Sequence, residues 1–484
     1  MKLKYLVPPH IFLSLTLSLS FSFIGFNALA DDLASDSTKD KPNKIEEALP
    51  VAELRAFVEV MEKVKNEYVE PVSNQTLLEN AIKGMLSNLD PHSSFYSATE
   101  FADLTESTSG EFAGLGVEIS SQDGLLRVIS PLDDSPAFKA GVKAGDIIIK
   151  INEIAIQSVS LEDAINMLKG DSGTEVVLTI IREGAAKPLN IKILRDIIKT
   201  KSTRSEMLED GFGYLRISQF QGRTDSEAAD NINDLMSIVQ NNSTQKNSQK
   251  NTQKESGLKG LILDLRNNPG GLVDQAVGIS DLFLNNGLVV YLQGRDASTR
   301  EDMLATTGDI LKGAPIVVLI NAGSASASEI VAGALKDNNR ALIVGERSFG
   351  KGSVQVMIPL NDGRGLKFTT ARYYTPSGKS IQAEGIAPDI EIGDFSVKAR
   401  MDNLERIREA DLVGHLNNEN NQAAKALNAT NLNLAERDYQ LYEALNLLKA
   451  LVKSEELSNR SKLNFSTQEK NSVEDKPFNL DVQQ

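Results

Sequence analysis

Gly323-Ser324-Ala325-Ser326-Ala327-Ser328-Glu329 lies between an apolar run, Pro315-Ile316-Val317-Val318-Leu319-Ile320, and the stretch Ile330-Val331-Ala332-Gly333-Ala334-Leu335-Lys336. The first flank is short and β-branched and reads as a buried strand; the second reads as a helix. Small hydroxylated residues therefore sit at a strand-to-helix corner. Such a corner holds a side chain at the end of a sheet, beside backbone N–H groups that no helical bond satisfies. A serine nucleophile needs that place: a hydroxyl next to donors for a developing oxyanion. The plainer reading is that Ser326-x-x-Glu329 is a capping box, since serines before helices are usually caps. What favours chemistry lies downstream. Lys351 occurs in the turn Phe349-Gly350-Lys351-Gly352, after a second strand-like run, Ala341 to Gly345, and Gln355 follows four residues later. A lysine replaces histidine as the base for a serine when burial lowers its pKa.

The chain has 484 residues, 41% hydrophobic and 24% charged, which suits a globular protein of two or three domains. Residues 1–30 read as a cleaved signal peptide: Lys2 and Lys4, an apolar stretch from Ile11 to Phe26, then Ala28-Leu29-Ala30. That points to export and a periplasmic location, with peripheral association with the inner membrane left open. The sequence has no cysteine, so the fold must rely on its core. The formal net charge is −15, and losing Lys2 and Lys4 makes the mature chain more negative still. This argues against nucleic acid as a partner, because phosphate binding needs a basic face.

Residues 31–45 are polar and read as a disordered lead. A helical region is expected over 46–110, with Leu54, Phe57, Val58, Met61 and Val64 at helical spacing, then Leu77, Leu78, Ile82 and Met85. Asp90-Pro91-His92-Ser93 ends the second of these helices, and residues 96–111 read as a polar connection to the next segment. Residues 111–195 alternate strands, turns and short helices. Their order resembles a PDZ domain of the bacterial protease type. The resemblance implies that the loop at Leu115, Gly116 and Val117 holds a peptide C-terminal carboxylate on its N–H groups, and that the strand after it receives the peptide.

A larger body is expected over 196–394. Residues 241–256 within it are low in complexity and read as a disordered insertion. A second strand-to-helix corner follows at Arg266-Asn267-Asn268-Pro269-Gly270-Gly271. Alternating strands and helices make the class α/β. A helical region is expected over 395–453, with Leu441, Leu445, Leu448 and Leu451 periodic, and a disordered tail over 454–484.

Three rival motifs compete for the same residues. Gly345 to Lys351 fits part of a phosphate loop, but position 352 is Gly where Ser or Thr is required, and a strand follows. Ser348-x-x-Lys351 fits a Ser-x-x-Lys pattern, yet sits in a turn, and the same pattern recurs cheaply at Ser243-Lys246 and Ser256-Lys259. A Ser-His-Asp triad would need one of His10, His92 or His415, none of which follows a core strand.

From about residue 50 to 393 the chain resembles the carboxyl-terminal processing proteases, also called tail-specific proteases. The resemblance rests on Leu89-Asp90-Pro91-His92-Ser93, Asp264 to Gly271, Ser324 to Ile330 and Gly345 to Gly352. It implies a multidomain α/β protein: a crotonase-like protease body, an inserted PDZ-like domain and flanking helices. It implies Ser326 as nucleophile, Lys351 as base and Gln355 orienting the lysine. The oxyanion donors would be Ala327 and Gly271, with Gly270 left open. No metal or other cofactor is implied. The partners implied are proteins or peptides with accessible C-termini. The terminal helices point to a homo-oligomer and leave room for a helical-repeat adaptor. The rival class is an exported PDZ-bearing binding protein or chaperone with an inert body.

Overall fold

The computed structural model describes residues 50–122, 125–246, 257–398, 416 and 434–472. The expected signal peptide, the polar lead, most of the 241–256 insertion, most of 399–433 and the end of the tail lie outside the described residues. The chain divides into two units, Met1–Leu77 and Leu78–Gln484. In the first, α1 (Val51–Glu67) buries no residue and exposes Leu54, Phe57, Val58 and Val64. Then come α2 (Asn74–Ser87), β1 (Ser94–Tyr96) and α3 (Ala98–Ser109). Among the described residues no helix is long and apolar enough to cross a membrane.

The β-rich segment comprises β2 (Glu111–Gly114), β3 (Val117–Gln122), β4 (Leu125–Pro131), α4 (Pro136–Lys139), β5 (Ile147–Ile151), β6 (Ile154–Ala155), α5 (Leu161–Leu168), β7 (Glu175–Ile181), β8 (Leu189–Leu194) and β9 (Asp196–Lys199). Its main sheet runs β3-β4-β5-β7-β8, which leaves β3 on an edge. Along β7, Val176, Leu178 and Ile180 alternate into a core with Leu126, Val128 and Ile148, at the period of two that a half-buried strand requires. β2 and β9 pair antiparallel, so the segment leaves and re-enters the chain on a two-stranded stem.

The body follows: β10 (Thr203–Glu209), β11 (Phe212–Ile217), α6 (Thr224–Lys246), β12 (Gly260–Asp264), α7 (Val273–Asp281), β13 (Leu288–Gln293), β14 (Glu301–Leu304), β15 (Ile316–Ile320), α8 (Ala327–Asp337), β16 (Ala341–Gly345), β17 (Ser353–Pro359), β18 (Gly365–Tyr374), β19 (Ile390–Glu391) and α9 (Tyr439–Ser472). The central sheet runs β10-β11-β12-β15-β16-β19 and is parallel from β11 onward. Strands of such a sheet are covered on both faces, which is why they read as continuous apolar runs. Leu261, Leu263, Ile316, Val318 and Ile320 face one core with residues of α6, α7 and α8. Ile262, Val317 and Leu319 face the other, with Leu441, Ala444, Leu445 and Leu448 of α9. A second body sheet carries β17 and β18 as a hairpin, with β1 paired to β18.

The expected α/β architecture is present. Three boundaries differ. α3 occupies a stretch read as a polar connection; Ser97 and Glu100 form the capping box that starts it. α6 runs to Lys246, into the low-complexity insertion. α9 continues to Ser472, past residue 453 where the helical region was expected to end.

Candidate active site

Three loops converge at the C-terminal ends of the adjacent parallel strands β12, β15 and β16, where open α/β sheets place their sites. They are tied together by buried bonds. Ser324 Oγ donates to the Leu265 carbonyl at 2.8 Å and Ser328 Oγ to the Asn268 carbonyl at 2.9 Å. The Ala325 amide also donates to the Asn268 carbonyl, and the Phe349 amide to the Ser324 carbonyl, both at 3.0 Å. The serines on either side of Ser326 are therefore braces. Arg266 anchors the first loop from behind, held between Asp264 and Asp438.

Ser326 is the departure. Its φ is +55° and ψ −114°, a conformation that costs a non-glycine residue about 1–3 kcal/mol. The capping relation with Glu329 is real: the Ser326 amide donates to Glu329 Oε2 at 2.8 Å, and the Glu329 amide donates to the Ser326 carbonyl. Glu329 is fully buried and takes three more donors. Ser348 Oγ and the Gly350 amide reach Oε1 at 2.6 and 2.7 Å, and the Lys351 amide reaches Oε2 at 2.9 Å. Burial pushes its carboxyl pKa up, against the pull of these bonds. One carboxylate oxygen thus holds the backbone of both Ser326 and Lys351. Ser348, the serine of the Ser-x-x-Lys match, gives its proton to Glu329 and accepts from the Ile386 amide at 2.6 Å.

Lys351 is half-buried, and among the described residues its ammonium makes no hydrogen bond or ion pair. Its pKa is held below the ordinary lysine value, first by burial and then by the charge of Lys367; Asp90 and Glu329 act in the opposite direction. Gln355 does not reach it: the Gln355 amide donates to Ser353 Oγ at 2.9 Å and Thr369 Oγ1 at 3.2 Å. The loop at Asp90, read from sequence as a helix end and as part of the family resemblance but given no role at the site, does approach the lysine. Asp90 accepts from the His92 amide and Ser93 Oγ, both at 2.8 Å, and the Thr369 amide of β18 donates to Ser93 Oγ at 3.3 Å. Burial depresses the His92 pKa first, and the Lys351 charge second.

Gly270 and Gly271 differ in the way the sequence left open. The Gly270 amide donates to Asn268 Oδ1 at 2.9 Å, and Asn268 is itself fixed to the Ile217 carbonyl. Among the described residues the amides of Gly271 and Ala327 make no hydrogen bond. Gly270 supplies closeness: a Cβ there would lie 2.8 Å from Ser326 Cβ and 3.0 Å from the Ala327 nitrogen. Backbone without a side chain is needed at such an approach.

At the PDZ-like loop, Leu115 is buried, and the carbonyls of Leu115 and Gly116 accept from Ala137 and Leu132 at 2.9 Å. The amides of Leu115 and Gly116 make no hydrogen bond among the described residues. Gly116 has φ +69°, and a Cβ on it would run into Ser135. Val117 opens the edge strand β3. Lys169, at the end of α5, joins this domain to α3 through Asp103 at 3.0 Å and Glu106 at 2.8 Å.

Residues 211–392 match peptidase family S41, residues 113–193 match the PDZ domain, and residues 15–100 match the activating protease CtpB N-terminal domain. The carboxy-terminal-processing protease of Bartonella bacilliformis is 47% identical over 364 residues, 75% of this chain and 80% of that one. The carboxy-terminal processing protease CtpA of Bacillus subtilis is 33% identical over 339 residues, 69% and 68% of the two chains. Among solved structures, the photosystem II D1 C-terminal processing protease is 29% identical, covering 71% of this chain and 93% of that one, with a TM-score of 0.39.

Proposed function

The chain belongs to the carboxy-terminal processing proteases of peptidase family S41, serine-type peptidases, and carries a PDZ domain; on that premise we propose that it cleaves peptide bonds with a Ser326–Lys351 dyad. The observation that carries this is Glu329 Oε2, which accepts the amides of Ser326 and Lys351 together at 2.8 and 2.9 Å. A base must stand within reach of the proton it removes, and it must be neutral. Burial and the Lys367 charge favour a neutral Lys351.

Lys351 takes the proton of Ser326 Oγ as Oγ attacks the peptide carbonyl. The carbonyl π pair moves to oxygen and is held by the amides of Gly271 and Ala327. On collapse the C–N bond breaks and the Lys351 ammonium protonates the leaving amine. Water then hydrolyses the acyl-enzyme, with Lys351 again as base. Gln355 acts on the lysine through the β17–β18 hairpin or on a rearranged site, since its amide is held by Ser353 and Thr369.

Substrates are proteins whose C-terminal carboxylate docks on the amides of Leu115 and Gly116, with the preceding residues added to the edge of β3 at Val117. The basic and apolar start of the chain supports export and periplasmic substrates. The exposed apolar residues of α1 support a homo-oligomer, and they also leave a surface for a helical-repeat adaptor.

The test is cleavage of an unstructured polypeptide with an apolar C-terminus. Ser326→Ala and Lys351→Ala should abolish it. Ser348→Ala, which removes one of four donors to Glu329, should slow it without abolishing it, and His92→Ala should leave it. Cleavage surviving in Ser326→Ala, or lost in His92→Ala, overturns the assignment. An inert binding protein would cleave in no form.

A further inference from the structure

Tyr373 is fully buried in the same core as Ala327 and Ile330, yet among the described residues its hydroxyl has no hydrogen-bond partner. Among the described residues the other buried side-chain atom in that condition is Arg223 Nε. A buried polar group without a partner costs about 1–3 kcal/mol, so it calls for an explanation. The Tyr373 amide donates a hydrogen bond to the Gly352 carbonyl at 3.0 Å, next to Lys351. Burial drives the phenol pKa well above its ordinary value, so the group is a neutral donor; the Glu329 charge adds to this, and the Ser326 side chain, close enough to interact with the phenol oxygen but outside hydrogen-bond geometry, opposes it.

Resting on Ser326 as nucleophile, we propose that the Tyr373 hydroxyl is a positioning donor to Ser326 Oγ, making its bond when substrate fills the cleft. Catalytic hydrogen bonds are often open in unliganded sites and close in the Michaelis complex. A donor on one side of Oγ leaves the serine's own proton directed at Lys351. No proton leaves the tyrosine: the Ser326 proton passes to Lys351, the Oγ–C bond forms, and the phenol stays bonded to Oγ through acylation. The backbone strain at Ser326 fixes where Oγ starts, and the tyrosine fixes how its proton points.

The substitution Tyr373→Phe removes only an oxygen that has no partner in the resting protein. A purely structural hydroxyl therefore predicts unchanged or raised thermal stability and unchanged turnover. The positioning role predicts the same stability with a kcat about 10–100-fold lower, KM within about twofold, and a proportionate slowing of Ser326 labelling by a fluorophosphonate. The midpoint of the pH–rate profile, set by Lys351, should not move. Unchanged kcat, or a fall in kcat that comes with a fall in Tm, overturns the proposal. Ser326→Ala is run beside it: activity there breaks the underlying dyad, whereas an inactive Ser326→Ala with a fully active Tyr373→Phe refutes the tyrosine alone.

Discussion

Among the described residues, the corner at Ser326 and the loop at Gly116 each leave two backbone amides without a partner, but they are braced very differently. Around Ser326, three loops from three strands are cross-linked by Ser324, Ser328, Asn268 and the four-fold bonded Glu329, all buried. Around Gly116 the support is two backbone bonds and close approach to Ser135, on the edge strand of a small sheet. The difference fits what each loop is proposed to hold. An oxyanion exists only in the transition state, so its donors gain by being fixed before it forms. A peptide tail is a stable ligand of variable sequence, and a loop beside an open edge accepts it without such rigidity.

Alanine at the two glycines tests this contrast most strongly. In Gly270→Ala the new Cβ meets the Ala325 carbonyl oxygen at 2.7 Å and Ser326 Cβ at 2.8 Å, inside the braced corner. Peptidase activity should fall by about 10²–10³-fold, the scale of losing an oxyanion donor, while tail-peptide binding stays intact. In Gly116→Ala the effect should be smaller and opposite in kind. Tail binding, followed by fluorescence anisotropy, should weaken about tenfold, as strain and the clash with Ser135 cost on the order of 1–2 kcal/mol. Turnover of a short peptide lacking a docking tail should not change. Equal losses of both activities in both variants would mean that the two loops are one unit.

The smallest effect is electrostatic. Rate should rise with pH through the lowered Lys351 pKa, because only the neutral amine is a base. Asp90 favours the ammonium and Lys367 disfavours it. Asp90→Asn should therefore move the rising limb to lower pH and Lys367→Met to higher pH, each by less than about one unit across partly solvated distances. Shifts of the same sign would remove these charges from the account.

The braced region was also the more legible of the two in part. The β-branched run before Gly323 and the Gly-rich turn at Lys351 are local signals, and the corners stand where they indicate. The alternation of β12 and β15 between two cores, with α9 covering one of them, follows from the same apolar runs and the spacing of Leu441, Leu445 and Leu448. What was hidden is non-local. Ser326-x-x-Glu329 spells a cap, and nothing in the spelling says that the glutamate also gathers Ser348, Gly350 and Lys351 from a loop about twenty residues on. Asp90 and Tyr373 come from distant segments and meet the site only because β1 pairs with β18 and β18 folds back on β17. Gln355 sits at the expected spacing, but its cross-strand neighbour Thr369 takes its amide, a contact that spacing cannot encode. The helix α3 did carry a local sign, Ser97 and Glu100 as a capping box, within a stretch too polar to show a periodic face.

The most direct test of the dyad is the rate at which a fluorophosphonate labels the full-length protein across pH, with the adduct mapped by peptide mass spectrometry, for the wild type and Lys351→Ala. The account predicts a single adduct on Ser326, a rate that climbs with pH to a midpoint below the ordinary lysine value of 10.5, and slow labelling without that climb in Lys351→Ala. An adduct on Ser348, or undiminished labelling of Ser326 in Lys351→Ala, would contradict it.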